Sequence, residues 1–165
     1  MFREMRRHGQ MLPADETAEI LTKATSGVLA VSGDDGYPYA VPLSYVYDGG
    51  KIYFHCAMTG HKIDAIRREP KVSFCVIAKD DVFPEKFTTR FASVIAFGKA
   101  EIVTDDGEKR TALMKLAEKY SPGVPKADEE IRGSWDHVCV VGIQVEHVTG
   151  KEAVELTAQR KKNQE

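Results

Sequence analysis

Two tight turns set close limits on the fold of this chain. Residues 33–36 (GDDG) and 48–50 (DGG) carry turn chemistry, and each lies between segments rich in β-branched and aromatic residues. Parallel strands need a crossover connection of a dozen or more residues, which these turns do not provide. The sequence therefore predicts an antiparallel meander in the first half of the chain.

Hydrophobic periodicity extends this prediction to the whole chain. Runs of β-branched residues or strict alternation predict six strands, and apolar residues at helical spacing predict three helices. Gly98, inside the longest β-prone run, predicts a bend or bulge. The connector 126–134 is polar, and residues 155–165 are predicted to be a disordered tail. The strands are predicted at 27–31, 39–47, 51–56, 71–79, 87–103 and 138–148, and the helices at 15–25, 60–69 and 105–120.

Composition narrows the function classes. Lys and Arg number 23 against 25 Asp and Glu, a formal net charge of −2, so no global field draws the chain to nucleic acid or to an anionic membrane. The basic N-terminus lacks the apolar core of a secretory signal, and no run is apolar enough to cross a bilayer. We therefore expect one cytoplasmic domain over residues 1–165. Three cysteines without a C-x-x-C pair argue against a disulfide framework.

The segment most informative about chemistry is residues 55–62 (HCAMTGHK), where a strand ends and a helix begins. With Thr59 as N-cap, the amides of Gly60, His61 and Lys62 have no partner within the helix and lie at the positive end of its dipole. Lys62 in the first turn opposes that dipole by about 0.3–1 kcal/mol, and a bound anion reverses the penalty. An ordinary helix start with a solvent-facing lysine explains the same residues.

The same segment invites two other interpretations, a metal site and a nucleophile. His55 and Cys56 are strand neighbours that point to opposite faces, while structural zinc usually needs four converging ligands, so no metal site is predicted. Cys56 shares the face of Ile52 and Phe54, which indicates a buried, inert thiol. His55 lies on the other face with Tyr53, where a flat aromatic ligand has room to lie. A core histidine bonded to a backbone carbonyl is the alternative.

Five segments of the chain together resemble the FMN-binding split-barrel superfamily of pyridoxamine 5'-phosphate oxidase, and within it the nitroimidazole-resistance group. Each segment alone is a weak signal, but five in the right order are specific, and they extend over nearly the whole chain. The segments are 2–7 (FREMRR), 36–48 (GYPYAVPLSYVYD), 52–57 with 60–64 (IYFHCA, GHKID), 86–91 with 93–95 and 97–100 (KFTTRF, SVI, FGKA), and 146–151 (EHVTGK).

The resemblance implies an α+β, β-dominated fold: a six-stranded antiparallel Greek-key split β-barrel with flanking helices. It also implies a homodimer with FMN at the subunit interface. Arg90 and Trp135 are expected on the substrate or partner-subunit side, although Trp135 is equally an interface anchor. By resemblance the phosphate is bound by Gly60, His61 and Lys62 with Ser93, and the isoalloxazine lies along Pro42, Leu43, Ser44 and Tyr45 near His55 and Ala57.

The function expected from this resemblance is electron transfer from reduced FMN to a small organic acceptor such as a nitroimidazole. His55 is the first choice as proton donor, since the sequence holds no other acid–base or nucleophilic constellation. Because an extended basic pocket is absent from the sequence, pyridoxamine 5'-phosphate oxidase activity is only an alternative. A non-catalytic flavin or haem carrier and a structural dimer with an empty cleft are the others.

Overall fold

The computed structural model describes residues 1–163, which form seven strands and five α-helices. The strands are β1 (Gly27–Ser32), β2 (Pro38–Leu43), β3 (Val46–Asp48), β4 (Lys51–Ala57), β5 (Lys71–Phe83), β6 (Thr88–Ile102) and β7 (Val138–Glu152). The helices are α1 (Ala14–Lys23), α2 (His61–Arg68), α3 (Asp106–Tyr120), α4 (Ala127–Ser134) and α5 (Val154–Lys162). All strand pairs are antiparallel, and the order in the sheet is β2-β1-β5-β6-β7-β4-β3.

The sheet curls because its two edge strands are neighbours in the chain. β2 and β3 lie at opposite edges of the sheet, yet only Ser44 and Tyr45 separate them. An extended chain spans at most about 3.6 Å per residue, so Leu43 and Val46 lie within about 11 Å of each other. The two edges of the sheet therefore meet at a seam, which we define as residues 43–46.

This seam corrects the predicted strand count from six to seven. The segment 39–47 was expected to be one strand, but it pairs with β1 up to Leu43 and with β4 from Val46 onward. Between them the Tyr45 side chain turns into the core, where it is fully buried. The α+β, mainly antiparallel class is confirmed.

The inner face of the curled sheet forms the core. Leu29, Phe54, Phe74, Val94 and Val141, from five different strands, are all fully buried. Alternation puts every second residue of a strand on this face, as predicted for half-buried strands. The helix α2 closes one end of the core with its own apolar side chains, which are Ile63, Ala65 and Ile66.

The predicted bulge at Gly98 is confirmed. The β6–β7 register shifts between Phe97 and Gly98, and a Cβ on Gly98 would lie 2.2 Å from the Gln144 carbonyl oxygen. A side chain at this position would push the two backbones apart, which is why the bulge falls on a glycine.

The helices differ from the predictions at several points. α1 extends from Ala14 to Lys23, so it begins one residue earlier and ends two residues earlier than the predicted range 15–25. α4 replaces the polar connector predicted at 126–134. α5 replaces most of the predicted disordered tail, and residues 164–165 of that prediction lie outside the described residues. No helix within residues 1–163 is both long and apolar enough to span a membrane.

Candidate functional site

The start of α2 is an open, positively polarised helix end. Gly60, not the predicted Thr59, is the N-cap, and its φ of 130° is a conformation that suits glycine. The Gly60 carbonyl accepts hydrogen bonds from the amides of Ile63 and Asp64, at 2.9 and 3.1 Å. A Cβ on Gly60 would meet no atom within 4 Å, so the space before the helix is open. The geometry suits an anion on the first amides of this eight-residue helix.

The side chains of His61 and Lys62 at the start of α2 have different surroundings. Lys62 is half-buried and lies near the end of β4. The His61 ring stacks on Tyr39 with centroids 4.1 Å apart, and its Nε2 lies 3.5 Å from Asp34 Oδ2. The His61 side chain is therefore engaged with β2 and the preceding turn. Of the three predicted phosphate ligands, only Lys62 offers a cationic side chain, while Gly60 provides close access and His61 its amide.

Cys56, next to Lys62, is a thiol and not a thiolate near neutral pH. Burial, and after it the neighbouring Cys139, raise the pKa of the Cys56 thiol to about 11, and the Lys62 ammonium only opposes that shift. Burial also raises the pKa of Cys75. All three cysteines are free. These values agree with the inert thiol predicted for Cys56.

A cavity of about 460 Å³ lies between β4, α3 and α4, and we call it the α3–α4 cavity. The seam residue Ser44 and the exposed His55 of β4 supply two of its polar groups. α3, α4 and the start of β7 supply an apolar wall. That wall consists of Leu113, Leu116, Ala117, Ile131 and Val138, and the remaining lining residues are Tyr120, Ser121, Glu130 and Ser134.

The cavity and the start of α2 lie at the same end of β4. Ala57, the last residue of β4, pairs with Val138, and His55 pairs with Val140, two residues further along β7. Because side chains alternate along a strand, His55 and Ala57 lie on the same face. Gly60 follows Ala57 by three residues, a span of at most about 11 Å. One elongated ligand can therefore reach from the helix start toward the cavity.

Of the predicted ring residues on the seam, Tyr45 has a different role. Its hydroxyl donates a hydrogen bond to the Leu21 carbonyl at 2.7 Å, and its amide donates to the Tyr120 hydroxyl at 2.8 Å. Burial raises the pKa of Tyr45 far above its ordinary value, and the Tyr120 hydroxyl adds to the shift. A core role therefore replaces the predicted flavin contact of Tyr45, since both its side chain and its amide are occupied.

The other predicted ring residues divide by the face of β2 on which they lie. Leu43 packs against the core, so only its backbone faces a ligand, whereas Pro42 is exposed on the outer face. Ser44 lines the α3–α4 cavity together with His55. The side chains of Ser44, His55 and Ala57 thus lie together at one end of β4. The side chains of Leu43 and Tyr45 pack into the core instead.

Ser93, Arg90 and Trp135 do not line the cavity. Ser93 is half-buried on β6, opposite Ile77 and Lys151. The Arg90 guanidinium lies 4.2 Å from the Phe83 ring centroid, and its Nε is buried without a hydrogen-bond partner in the described part of the chain. Their expected contact with a ligand from the partner-subunit side stays a prediction.

Trp135 is the C-cap of α4 and packs within its own chain. It lies against the small apolar cluster formed by β4, β7, α3 and α4. Lys109 Nζ lies 4.4 Å from the indole centroid and donates a hydrogen bond to the Trp135 carbonyl at 2.8 Å. An interface role for Trp135 stays a prediction.

The wall of the cavity is not predictable from local sequence signals. The apolar stripe of α3 does not indicate what it faces, and the polar composition of the segment that forms α4 predicts a connector. Three acidic residues at the start of that segment, Asp128, Glu129 and Glu130, are typical of a first helical turn and would have indicated the helix.

Fold and site together define a small α+β protein in which an open helix start lies beside an apolar cavity. The chain belongs to the pyridoxamine 5'-phosphate oxidase family, whose model matches residues 13–152. The resemblance inferred from the sequence is thereby confirmed.

Several proteins of known sequence or structure are similar to this chain. An uncharacterised protein from Rhizobium meliloti is 27% identical over 152 residues, which cover 87% of this chain and 95% of that protein. An FAD-binding protein from Mesorhizobium loti is 29% identical, with a TM-score of 0.62 over 87% of this chain and 97% of that one. A candidate 5-nitroimidazole antibiotic resistance protein from Bacteroides thetaiotaomicron is 24% identical, with a TM-score of 0.73 over 86% of each chain. The last likeness shows the fold alone.

Proposed function

We propose that this protein binds FMN and is a homodimeric oxidoreductase that passes electrons from reduced FMN to a small organic acceptor, such as a nitroimidazole. One observation carries the proposal: the open start of α2, with Lys62 in its first turn, lies at the same end of β4 as a cavity containing His55. The flavin named for the similar Mesorhizobium protein supports the cofactor class.

The residues at the end of β4 fit a phosphate-bearing planar cofactor. The free amides of His61 and Lys62 and the Lys62 ammonium would hold the phosphate, because the helix dipole and the positive charge add there. Pro42, Ser44 and Ala57, which are exposed around the seam, would lie along the ring. Bound flavin would supply two-electron redox chemistry.

His55 would deliver the proton that accompanies reduction of the acceptor. Its imidazole is exposed and lines the cavity, so it can contact a bound molecule directly. An imidazole both donates and accepts hydrogen bonds, which suits a group that must hold a substrate oxygen and then give up a proton. Ser93 and Arg90 would approach the flavin from the second subunit.

The phosphate site can be tested by comparing FMN with riboflavin, which lacks the phosphate. We expect wild type to bind FMN more tightly, and Lys62→Ala to weaken FMN binding by about 10- to 100-fold, since hydrogen bonds to charged groups contribute about 1.5–3 kcal/mol. Riboflavin binding should change little. Arg67→Ala is the matched control, because it removes an exposed cation from the last turn of the same helix. Absorbance of the flavin and fluorescence of the single tryptophan report binding.

Three outcomes would count against this proposal. Wild type that binds no flavin removes the cofactor, and equal losses for Lys62→Ala and Arg67→Ala remove the specific phosphate site. FAD binding much tighter than FMN binding would replace FMN by the dinucleotide. Turnover is tested separately: NADH or NADPH should be oxidised faster when a nitroaromatic is added, whereas a flavin carrier shows no such dependence.

A further inference from the structure

We infer that the α3–α4 cavity is the acceptor pocket and that it selects flat, uncharged organic molecules over phosphorylated ones. The inference rests on the proposed flavin site, because the acceptor must lie beside the ring. It goes further by naming the walls of the pocket and the chemical class that they admit.

Size and lining favour a small aromatic ligand. The cavity volume of about 460 Å³ is within the range of ordinary ligand sites, about 300–1,000 Å³. Leu113, Leu116 and Ile131 line it, and these side chains are almost fully buried, so its wall is set by the packing of α3 and α4. A planar molecule placed against this wall would exclude water from apolar surface, which is favourable.

The charges around the cavity disfavour an anion. Within the described chain no lysine or arginine lines it, and its one carboxylate is Glu130. The nearby α3 lysines are occupied elsewhere: Lys109 Nζ bonds to the Trp135 carbonyl, and Lys119 Nζ bonds to the Ala24 carbonyl at 2.6 Å. A phosphate dianion in this cavity would lose its hydration and gain no lysine or arginine partner. The pocket therefore does not fit pyridoxamine 5'-phosphate, despite the name of the family.

On the strand side of the cavity, two polar side chains, Ser44 and His55, are available to orient a neutral ligand. The Tyr120 hydroxyl donates to the Thr25 or Tyr45 carbonyl, and the Ser134 hydroxyl donates to the Glu130 carbonyl at 2.9 Å. Neither Ser44 nor His55 makes a side-chain hydrogen bond to any residue of the range 1–163. Both lie on the strand side of the cavity, where they can donate to a nitro or carbonyl oxygen.

The inference is tested with a matched pair of probes, 4-nitrobenzyl alcohol and 4-nitrobenzyl phosphate. Binding is followed by quenching of Trp135, the single tryptophan, which follows the cavity-lining residue Ser134 at the end of α4. The FMN-loaded protein should bind the alcohol at least tenfold more tightly than the phosphate. Repeating the titration without FMN separates the pocket from the cofactor, since a protein that fails to bind flavin still reports on the cavity.

Ala117→Leu tests the location, because this residue lines the cavity from α3. It should weaken binding of the alcohol at least tenfold and leave the FMN dissociation constant unchanged. Glu118→Leu, an exposed neighbour on the same helix that lies outside the cavity lining, is the control and should change neither. Ser121→Phe, on the exposed rim, is a second variant that blocks the cavity without changing the core.

Each contrary result identifies a different error. Weaker FMN binding in Ala117→Leu and Ser121→Phe would mean that the cavity holds the flavin ring itself. Equal affinity for the alcohol and the phosphate would remove the charge selection. An alcohol affinity unchanged in both variants would place the acceptor elsewhere. Any of these results overturns the inference about the acceptor pocket. If the one contrary result is that wild type binds no flavin, only the proposed cofactor is overturned.

Discussion

Tyr120 joins the seam of the sheet to α1 and α3 through one hydroxyl group. This hydroxyl accepts from the Tyr45 amide at 2.8 Å and donates to the Thr25 carbonyl at 2.7 Å or to the Tyr45 carbonyl at 2.8 Å. Tyr120→Phe leaves the Tyr45 amide without a partner, which should lower the free energy of unfolding by about 1–3 kcal/mol. Urea denaturation measures the change. Tyr37→Phe, at an exposed position, is the control, and equal midpoints for both variants would contradict this role.

Tyr53 should make stability fall at alkaline pH. Burial, and then its 2.7 Å hydrogen bond to Glu108 Oε1, raise the pKa of Tyr53 to about 12. An unfolded tyrosine titrates near pH 10, so between pH 10 and 12 the unfolded state loses a proton that the folded state keeps, and stability falls. Tyr53→Phe should reduce that slope and leave the pH dependence of stability unaffected between about pH 6 and pH 9, where neither the tyrosine nor Glu108 titrates. Parallel curves for the two proteins above pH 10 would show that another group is responsible.

The sequence places single residues correctly only where local chemistry decides their position. Gly60 and Lys62 lie at the start of α2, as expected, because a glycine before a helix and a cation in its first turn are local signals, and their binding of a phosphate stays a prediction. Tyr45 was misplaced because its role depends on contacts with Leu21 and Tyr120, which are distant in the sequence. A break in a strand changes the face of the sheet on which the following side chains lie. No local sequence signal indicates the break at residues 44–45.

Among the elements, α5 is anchored to the end of β7 by a buried ion pair. Arg160 Nε and Nη2 donate to Glu152 Oε1 at 3.0 and 2.8 Å, and the Glu152 side chain is almost fully buried. Arg160→Met leaves that carboxylate without its main partner and should cost about 2 kcal/mol. Lys161→Met removes an exposed charge from the same helix and should cost little. Thermal unfolding measures the stability lost by each variant. Similar losses for Arg160→Met and Lys161→Met would mean that stability depends only on the net charge.

The elements that were predicted correctly carry their own periodicity, whereas α4 and α5 do not. The strands alternate, and α3 has both an apolar stripe and an Asp105 N-cap whose side chain accepts from the Glu108 amide at 2.7 Å. α4 has eight residues and buries only Ile131, so its stability comes from packing on α3 and β7. A highly charged segment of this kind resembles a loop until its partner is known. The cavity could not be predicted for the same reason.

For the whole molecule, the outer face of the sheet is the surface on which a second copy would pack. Ile95 and Phe97 on β6 and Ile77 on β5 are 41%, 38% and 66% exposed, although all three are large and apolar. Register places Ile95 opposite Cys75 and Thr149, so the patch is continuous across β5, β6 and β7. The Phe2 ring stacks on His147 at 4.7 Å and covers only one end of this face. Large exposed patches of this kind mark interaction sites.

The homodimer can therefore be tested at the centre of this face. Ile95→Lys places a charge in the proposed interface and should convert a dimer of about twice the chain mass into a monomer, because an unpaired charge buried between subunits is costly. Met114→Lys is the control, since it puts the same charge on an exposed apolar position of α3, away from the sheet face. Sedimentation velocity measures the mass of each protein. If Ser93 and Arg90 complete the flavin site of the partner, the monomeric variant should also bind FMN more weakly, whereas a monomer with full FMN affinity would confine the site to one chain.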